Sequence, residues 1–341
     1  MDTEKMRKEV STEECSFEVD KEEVKLKIHS SGTYTEPGLT LQKWEGDKGS
    51  EYYLVSAEKN NFSYRGILNS KFQRHNYGLN IYTNADVYFG NYDNDFRDKH
   101  GAYLFAPVKE DGYVYSEMYF GLWKDNMKDH HGIYTWIKQK EGTSDFDNAE
   151  LDAFVGDIQY ENMKRGCYFS KINNNYYIYY GSFDISGYKT DNRAFIYDNQ
   201  KDRVFCGKIF KDKIVNGYLM FHEADGNFLT LIYVEFDENQ NLIKTVRMED
   251  IDQADRNKKI DEMTKYRTLI FEEECFMKIH QKWKEVKNAV ENDIKNENVY
   301  NDEIIFPKLM KLTASYNDIT LFRNLEKLLT KKNFWGRIIE K

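Results

Sequence analysis

An aromatic residue placed shortly before a glycine recurs along the middle of this 341-residue chain, and this repeat restricts the fold more than any other feature. Between about residues 62 and 235, short aromatic runs alternate with turns rich in Asn, Asp, Gly and Lys, at intervals too short for helices. Six related units begin at glycines 24 to 35 residues apart: Gly66, Gly90, Gly121, Gly156, Gly181 and Gly207. In five units a second glycine follows ten to twelve residues later: Gly78, Gly101, Gly132, Gly166 and Gly217.

Each unit predicts one β-hairpin. The segment from Tyr88 to Tyr92 alternates with the period of two that a strand requires, and Asn94-Asp95 or Asp125-Asn126 supplies the turn. In the fifth unit we align Arg193 with the missing second glycine. A lone hairpin is marginally stable in water, so we expect neighbouring hairpins to stack, with a ring of the next unit lying over each glycine.

The two best units resemble MORN repeats, whose consensus opens with aromatic-x-Gly, turns at Asn-Gly and closes with Gly-x-Gly-x-aromatic. Asp95 and Asn126 replace the turn glycine, and Lys99 and His130 replace the first glycine of Gly-x-Gly. The resemblance covers about 170 residues, roughly half the chain. The matching positions are Tyr88, Gly90, Tyr92, Asn94, Arg97, Gly101 and Tyr103, then Tyr119, Gly121, Trp123, Lys128, Gly132 and Tyr134.

The resemblance implies an elongated antiparallel sheet of stacked hairpins with a curved, aromatic-lined groove that its own side chains do not fill. It also implies a non-enzymatic scaffold in a large assembly, most readily a ciliary axoneme (radial-spoke-like) or another cytoskeletal structure. Alternatives are a membrane-contact module that binds acidic phospholipids and an accessory subunit of an enzyme complex. The repeat positions given a structural role are Tyr88, Gly90, Tyr92, Gly101, Tyr103, Tyr119, Gly121, Trp123, Gly132, Tyr134, Gly156, Gly166, Gly181, Gly207 and Gly217.

Three regions follow from the changes in pattern along the chain. Residues 1–50 are charged and weakly patterned, which predicts an extended or disordered N-terminal segment. Residues 51–240 hold the hairpin repeats, and Tyr52–Ser56 is their first clear strand. Residues 245–341 have a helical period and predict an α-helical C-terminal region.

The C-terminal region supplies the candidate partner-binding residues. One stripe on a helix predicted from about 252 to 295 comprises Phe276, Ile279, Trp283, Val286 and Val290. The last 34 residues carry a charge of +5 and include Phe334 and Trp335. This basic end has three open destinations: the protein's own repeat sheet, an acidic protein partner, or an anionic membrane.

Composition and charge exclude several classes. A formal charge of -9 disfavours nucleic-acid binding, because phosphate neutralisation needs clustered cations. The cysteines Cys15, Cys167, Cys206 and Cys275 lie far apart, which indicates neither a disulfide framework nor a zinc site. No secretory or mitochondrial leader is visible, so we expect a cytoplasmic, cytoskeletal location. Low Pro content with abundant Asn, Lys, Tyr and Ile is typical of AT-biased protist genomes.

The remaining polar clusters have simpler interpretations than catalysis. The neighbours His130 and His131 point to opposite faces of a strand and cannot easily ligate one metal. Residues 93–95 and 237–241 are similar to calcium loops, but the first is a hairpin turn and the second lacks the required Gly and Glu. No nucleotide-binding or hydrolase motif occurs. We therefore expect no enzyme, no cofactor, no metal and no small-molecule substrate.

Overall fold

The computed structural model describes residues 20–44, 52–59, 62–143, 149–172, 175–222 and 229–247, together with Ala254, Asn257 and Ile260. Within these ranges the protein is mainly β, formed of antiparallel hairpins. The chain divides into two compact units between Tyr134 and Thr135. We call the described residues up to Tyr134 the N-terminal unit, and those from Thr135 to Arg247 the C-terminal unit.

The N-terminal unit begins with a helix that the sequence analysis missed. Asp20 caps this helix by accepting hydrogen bonds from the N–H groups of Glu22 and Glu23, and Gly32 ends it with a φ of 81°. The elements are α1 (Lys21–Ser31), β1 (Thr33–Glu36), β2 (Leu39–Trp44), β3 (Tyr52–Lys59), β4 (Phe62–Asn69), β5 (Arg74–Ile81), β6 (Val87–Asp93), β7 (Phe96–Leu104), β8 (Val108–Glu110), β9 (Tyr113–Lys124) and β10 (Met127–Lys140), of which the last continues past Tyr134.

The predicted extended segment over residues 1–50 therefore contains a helix and a hairpin. Val24 and Ile28 on α1 are buried, as are Tyr34 on β1 and Leu41 on β2. Apolar residues are too few among the charged ones in this segment for their spacing to indicate a helix or a hairpin. Residues 1–19 and 45–51 lie outside the described residues.

The strands of the N-terminal unit pair in chain order. Each strand from β2 to β7 pairs antiparallel with the next, β7 pairs with β9, and β8 folds back onto β9. This confirms the predicted hairpins β4–β5 and β6–β7, while β9 pairs with β10 as the third. The predicted strand at Tyr52–Ser56 is the first part of β3.

The C-terminal unit repeats the same arrangement. Each strand pairs antiparallel with the next from β11 to β18, which confirms the other three predicted hairpins and adds a fourth, β17–β18. The strands are β11 (Glu150–Gln159), β12 (Asn162–Ile172), β13 (Asn175–Ser182), β14 (Asp191–Asp198), β15 (Arg203–Phe210), β16 (Lys213–His222), β17 (Leu229–Phe236) and β18 (Leu242–Arg247).

The repeat glycines stand in register across the strands. Gly66, Gly78, Gly90, Gly101 and Gly121 pair in succession across β4 to β9, and Gly156, Gly166 and Gly181 do so across β11 to β13. Within each unit, neighbouring hairpins therefore join side by side through hydrogen bonds, which confirms the predicted antiparallel sheet of hairpins. Ala194, which pairs with Gly207, takes the place of the missing second glycine, and not Arg193.

The hairpin turns adopt left-handed backbone conformations without glycine. Both central residues have positive φ in the turns at Asn94-Asp95, Asp125-Asn126, Tyr160-Glu161 and Lys211-Asp212. Paired positive φ values are typical of type I′ turns, which match the twist of the flanking strands. Lys99 and His130, where the repeat consensus has glycine, also have positive φ, of 56° and 58°.

Only a small part of the predicted helical region is described. Strand β18 extends to Arg247, inside the region 245–341, and Ala254, Asn257 and Ile260 are helical. The residues after Ile260 lie outside the described part of the chain.

Candidate interaction surface

Each repeat ring lies over the glycines of its own hairpin. A Cβ atom added at Gly90 would lie 2.6 Å from the Tyr88 hydroxyl, and one added at Gly78 would lie 2.5 Å from that of Tyr64. The ring comes from two residues before the first glycine, so the expectation that the next unit supplies it is wrong. The need for glycine beneath a ring is confirmed, because any side chain there would collide with the ring.

A hydrogen bond fixes these rings wherever the residue is tyrosine. The hydroxyl donates to the backbone carbonyl three residues later in four hairpins, and phenylalanine occupies the position in two, at Phe154 and Phe205. The bonds are Tyr64 to Ile67 at 3.2 Å, Tyr88 to Asn91 at 2.8 Å, Tyr119 to Leu122 at 2.8 Å and Tyr179 to Ser182 at 2.6 Å.

A second repeated contact joins an acid to a tyrosine, and the sequence analysis missed it. Tyr103 Oη donates to Asp86 Oδ2 at 2.8 Å, and Tyr134 Oη donates to Glu117 Oε1. Each acid lies two residues before a repeat tyrosine, and each partner lies two residues after a second glycine. Both acids are buried. The recurrence of an acid at this position was the available signal.

Cations are buried among the rings of the N-terminal unit. Arg74 Cζ lies 5.0 Å from the centre of the Tyr92 ring, and Arg97 Cζ lies 4.6 Å from that of Trp123. Lys128 Nζ lies within 5.8 Å of four ring centres and is 1 % exposed. Such contacts compensate part of the cost of burying a charge. These cations are therefore part of the core.

Electrostatics keep Arg74 charged despite its burial. Burial acts to lower the pKa of Arg74, but Tyr92, Tyr64 and Asp95 outweigh this effect and the pKa is raised. The Nε atom of Arg74 lies 3.1 Å from Asp95 Oδ1. For the ring hydroxyls burial itself acts upward, and it raises the pKa of Tyr64 and of Tyr92 well above the ordinary value. The phenols thus stay neutral at physiological pH.

Adjacent turns are linked by their second residue. Arg74 N–H donates to Asp95 Oδ1 at 2.8 Å, and Asp95 N–H donates to Arg74 O at 2.9 Å. Arg97 and Asn126 repeat this exchange in the N-terminal unit. Lys189 and Asp212 repeat it in the C-terminal unit, where both bonds are 3.0 Å. Asp or Asn therefore does more than tolerate the turn, because it fastens one hairpin to the preceding one.

Exposed apolar side chains collect along one rim of the C-terminal unit. Alternate connections of a meander lie at the same end of the strands, so the turns β11–β12, β13–β14, β15–β16 and β17–β18 share one rim. Strands two places apart are about 10 Å apart, and four such turns cover about 30 Å. We call this the turn rim, with the exposed side chains Tyr160 (60 %), Ile185 (81 %), Tyr188 (47 %), Phe210 (52 %), Leu242 (55 %) and Ile243 (61 %).

Lysines flank the middle of the turn rim. Lys208, Lys211 and Lys213 are exposed on either side of Phe210, and Lys211 Nζ lies 5.7 Å from the centre of its ring. Asp212 is the acid in this turn, and its carboxylate accepts the Lys189 N–H. An apolar tip with three nearby lysines can contact a partner that is itself apolar and acidic.

The structure places the sequence-predicted residues differently from the expectation of an open groove. All fifteen repeat positions given a structural role are buried, so they form the core. The described rings do not line an open, unfilled groove, because they fill the space above the glycine rows. Phe276, Ile279, Trp283, Val286, Val290, Phe334 and Trp335 lie outside the described residues.

The smaller polar clusters have local partners. His130 is exposed, and its Nδ1 atom lies 2.7 Å from Asp129 Oδ2. Asp237 caps the β17–β18 turn, where its carboxylate accepts the N–H groups of Asn239 and Asn241. Hydrogen bonds from Asn241 hold the pKa of Asp237 below its usual value. Residues 93–95 form the β6–β7 turn, as expected.

The described residues contain no group of three His, Cys, Asp or Glu side chains that could hold a metal ion. No described helix is long and apolar enough to cross a membrane.

Comparison with known proteins leaves the chain without an assigned family. No family model matches the sequence, and no curated protein matches it.

Proposed function

We propose that this protein is a non-enzymatic scaffold whose turn rim binds another protein subunit of a large assembly. The observation that carries the proposal is the row of six exposed apolar side chains on the four turns that share one rim of the C-terminal unit. Contiguous exposed apolar surface on a soluble unit often marks an interaction site. The rings that the repeat pattern singled out are buried and instead make the frame that holds these turns in place.

The assembly is proposed from the MORN-like pattern alone. Aromatic residues two positions before a glycine, and paired glycines in register, support the resemblance. By that analogy the assembly is a ciliary axoneme or another cytoskeletal structure, and an enzyme complex is the further alternative. Imaging of a tagged protein tests the location. Label on axonemes or cytoskeleton supports the scaffold, and a uniform membrane label that survives loss of both contradicts it.

A triple substitution tests the turn rim. Ile185→Ser, Tyr188→Ser and Phe210→Ser remove three exposed apolar side chains from adjacent turns without changing the turn backbone. We expect the subunits that copurify with the tagged wild-type chain to fall at least tenfold, measured by quantitative mass spectrometry. The strongest such subunit, purified, should bind the wild-type chain directly and the variant at least tenfold more weakly.

The matched control lies at the other end of the same strands. Ile172 is 53 % exposed at the end of β12 opposite to the turn rim. Ile172→Ser changes a comparable apolar surface in the same unit. Unchanged copurification with the control and loss with the triple variant support the proposal. Equal effects of the two, or none from either, contradict it.

A second candidate function is contact with an anionic membrane. The lysines beside Phe210 favour it, because apolar tips flanked by cations suit the headgroup boundary of acidic lipids. Flotation with vesicles of phosphatidylcholine, with and without phosphatidylserine, tests it. Binding that needs phosphatidylserine and is lost on Lys208→Glu with Lys211→Glu supports the membrane, whereas no flotation leaves the protein partner as the occupant.

A further inference from the structure

The N-terminal unit has exposed apolar side chains at a rim of its own. The turns β6–β7 and β9–β10 lie at the same end of the strands, because β7 and β9 pair antiparallel and are connected through β8 at the other end. Phe96 and Met127, the first residues after these turns, are 48 % and 37 % exposed. Two strand spacings put the two turns about 10 Å apart.

The hairpin does not require an apolar residue at this position. In the C-terminal unit the corresponding residues are Asn162 and Lys213, which pair across the turns β11–β12 and β15–β16 as Phe96 pairs across β6–β7. Both are exposed, so polar side chains are compatible with the turn. Apolar side chains on two adjacent turns, where polar ones fit, therefore indicate a contact outside the unit.

Aspartates surround Phe96. Asp93 lies directly across the hairpin from Phe96, and its side chain is 54 % exposed. The side chain of Asp95 in the turn is 42 % exposed, and Asp98 is half-buried. Strand β7 exposes one lysine against them, Lys99, and the exposed Lys and Asp of the next turn cancel. We call this surface the acidic rim, with the residues Phe96, Met127, Asp93, Asp95 and Asp98.

The turn rim has the opposite charge at the matching place. Phe210 lies directly across its hairpin from Lys213, whereas Phe96 lies across from Asp93. Three exposed lysines surround Phe210, against one exposed acid in that turn, Asp212. The spacing also matches, since neighbouring turns on each rim are about 10 Å apart. Apolar side chains of the two rims can therefore pack side by side while aspartates face lysines.

We propose that the acidic rim of a second copy of this chain binds the turn rim, so that copies join head to tail. This contact rests on the proposed function, for which it names the partner of the turn rim. The two rims differ in sequence, so the contact is heterologous, and each bound pair keeps one free rim of each kind. Further copies can then add at either end. The contact is small, which makes it weak and dependent on concentration.

Charge determines which rims meet more than it determines affinity. Exposed ion pairs contribute little, because solvent screens them, but like charges brought face to face exclude a wrong partner. Two turn rims would oppose their lysines, and two acidic rims would oppose their aspartates. The overall charge of -9 opposes association only weakly, since repulsion between distant charges is screened over about 8 Å at physiological salt.

Sedimentation velocity of the purified full chain measures the association between roughly 1 and 100 μM, the range suited to a small interface. We expect the average sedimentation coefficient to rise with concentration past that of a dimer. Phe96→Ser with Met127→Ser should raise the concentration needed at least tenfold. The matched control is Val108→Ser with Tyr113→Ser, which removes side chains 44 % and 38 % exposed from the other end of the strands and should leave association unchanged.

Charge reversal identifies the two rims that meet. Asp93→Lys with Asp98→Lys makes both rims basic, whereas Lys208→Glu with Lys211→Glu makes both acidic. Each variant alone should associate at least tenfold more weakly than the wild-type chain. An equimolar mixture of the two should recover association, which unfolded chains would not do.

A wild-type chain that stays monomeric over this range would overturn the contact between copies. Association that no rim variant weakens, or that the mixture of reversed variants does not recover, would overturn it too. The proposed function fails separately, through unchanged copurification of subunits with the triple variant of the turn rim. A monomeric chain whose triple variant still loses other subunits would overturn the contact between copies alone.

Discussion

The two units build their hairpins on the same glycine-and-ring frame but fill the interior differently. In the N-terminal unit, Tyr92 pairs with Arg97 across the hairpin. In the C-terminal unit, the corresponding pairs are Ile158 with Met163 and Ile209 with Ile214. A ring-and-cation pair and an aliphatic pair therefore occupy one structural position. The paired glycines and the ring over them specify the hairpin, whereas the side chains that pack beside the ring differ between the units.

Backbone geometry accompanies this difference. On strand β7, three residues separate Arg97 from Gly101. On strand β12, only two residues separate Met163 from Gly166, which are the corresponding positions. Hairpins of the N-terminal unit also have a residue with positive φ two positions before the second glycine, at Asn76, Lys99 and His130. The C-terminal glycine pairs are ten residues apart, and no positive φ occurs at Lys164 or Val215. One inserted residue thus distinguishes the two kinds of hairpin.

The largest expected effect comes from breaking what the units share. Gly90→Val and Gly156→Val each force a side chain against the paired glycine backbone and a ring. We expect each to lower the free energy of unfolding of its own unit by about 3 kcal/mol or more. Urea unfolding followed by hydrogen exchange measures both units separately. Thr245→Val, at an exposed position of β18, is the control, and similar losses there would contradict the frame.

Exchanging the aliphatic and the cationic side chain at this position should destabilise the two units by unequal amounts. Met163→Lys buries a charge beside Ile158 in an aliphatic setting, and we expect about 3 kcal/mol of destabilisation. Lys128→Met loses contacts with four rings but keeps most of the volume, at about 1–2 kcal/mol. Chemical denaturation of both variants measures the difference. Equal costs would mean that the rings do not specifically accommodate a cation.

The acid–tyrosine contact is expected to matter less. Asp86→Ala removes the acceptor of both the Tyr103 hydroxyl and the Ala106 N–H, which should cost about 2 kcal/mol. Tyr103→Phe should cost about 1 kcal/mol. A double-mutant cycle checks the pair, and the double variant should be more stable than the sum of the single losses predicts. Strict additivity would indicate that the hydrogen bond contributes nothing.

The smallest effects on stability come from substitutions in the turns, and they should be stabilising in the C-terminal unit and destabilising in the N-terminal unit. Tyr160-Glu161→Asn-Gly places residues suited to positive φ in a strained turn and should stabilise the C-terminal unit by up to about 1 kcal/mol. Asp95→Gly also relieves positive φ but removes the acceptor for Arg74, so it should destabilise the N-terminal unit. Thermal unfolding of both variants measures the signs. Stabilisation by both would show that the link between turns is weak.

The sequence predicted the hairpins because the glycine–ring spacing is a local signal. A ring two residues before a glycine, and a second glycine ten to twelve residues later, leave room for two strands and a tight turn, but they do not indicate which ring covers the glycines. Asn94-Asp95 and Asp125-Asn126 were recognisable as turns for the same reason. The alignment failed at Arg193 because the β13–β14 connection is longer, and only the strand register identifies Ala194.

The interior filling and the interaction surface could not be predicted in the same way. Arg97 and Lys128 match positions of the repeat, but they follow turns rich in polar residues, so nothing in their local pattern indicates that they are buried among rings. Asp86 and Tyr103 are 17 residues apart and meet only through the hairpin. The turn rim joins Tyr160 to Ile243 across four connections, and single apolar residues in separate turns carry no periodic signal.

Proton chemical shifts of the glycines test the shared frame most directly. A proton beneath an aromatic ring is shielded, so the Hα signals of Gly101, Gly166 and Gly217 should lie well upfield of those from Gly112 and Gly142, where no heavy atom lies within 4 Å of an added Cβ. Tyr88→Leu should return the Gly101 signal to the ordinary range and leave those of Gly166 and Gly217 unchanged. Glycine-labelled NMR spectra in which all these signals coincide would contradict the ring-over-glycine frame in both units.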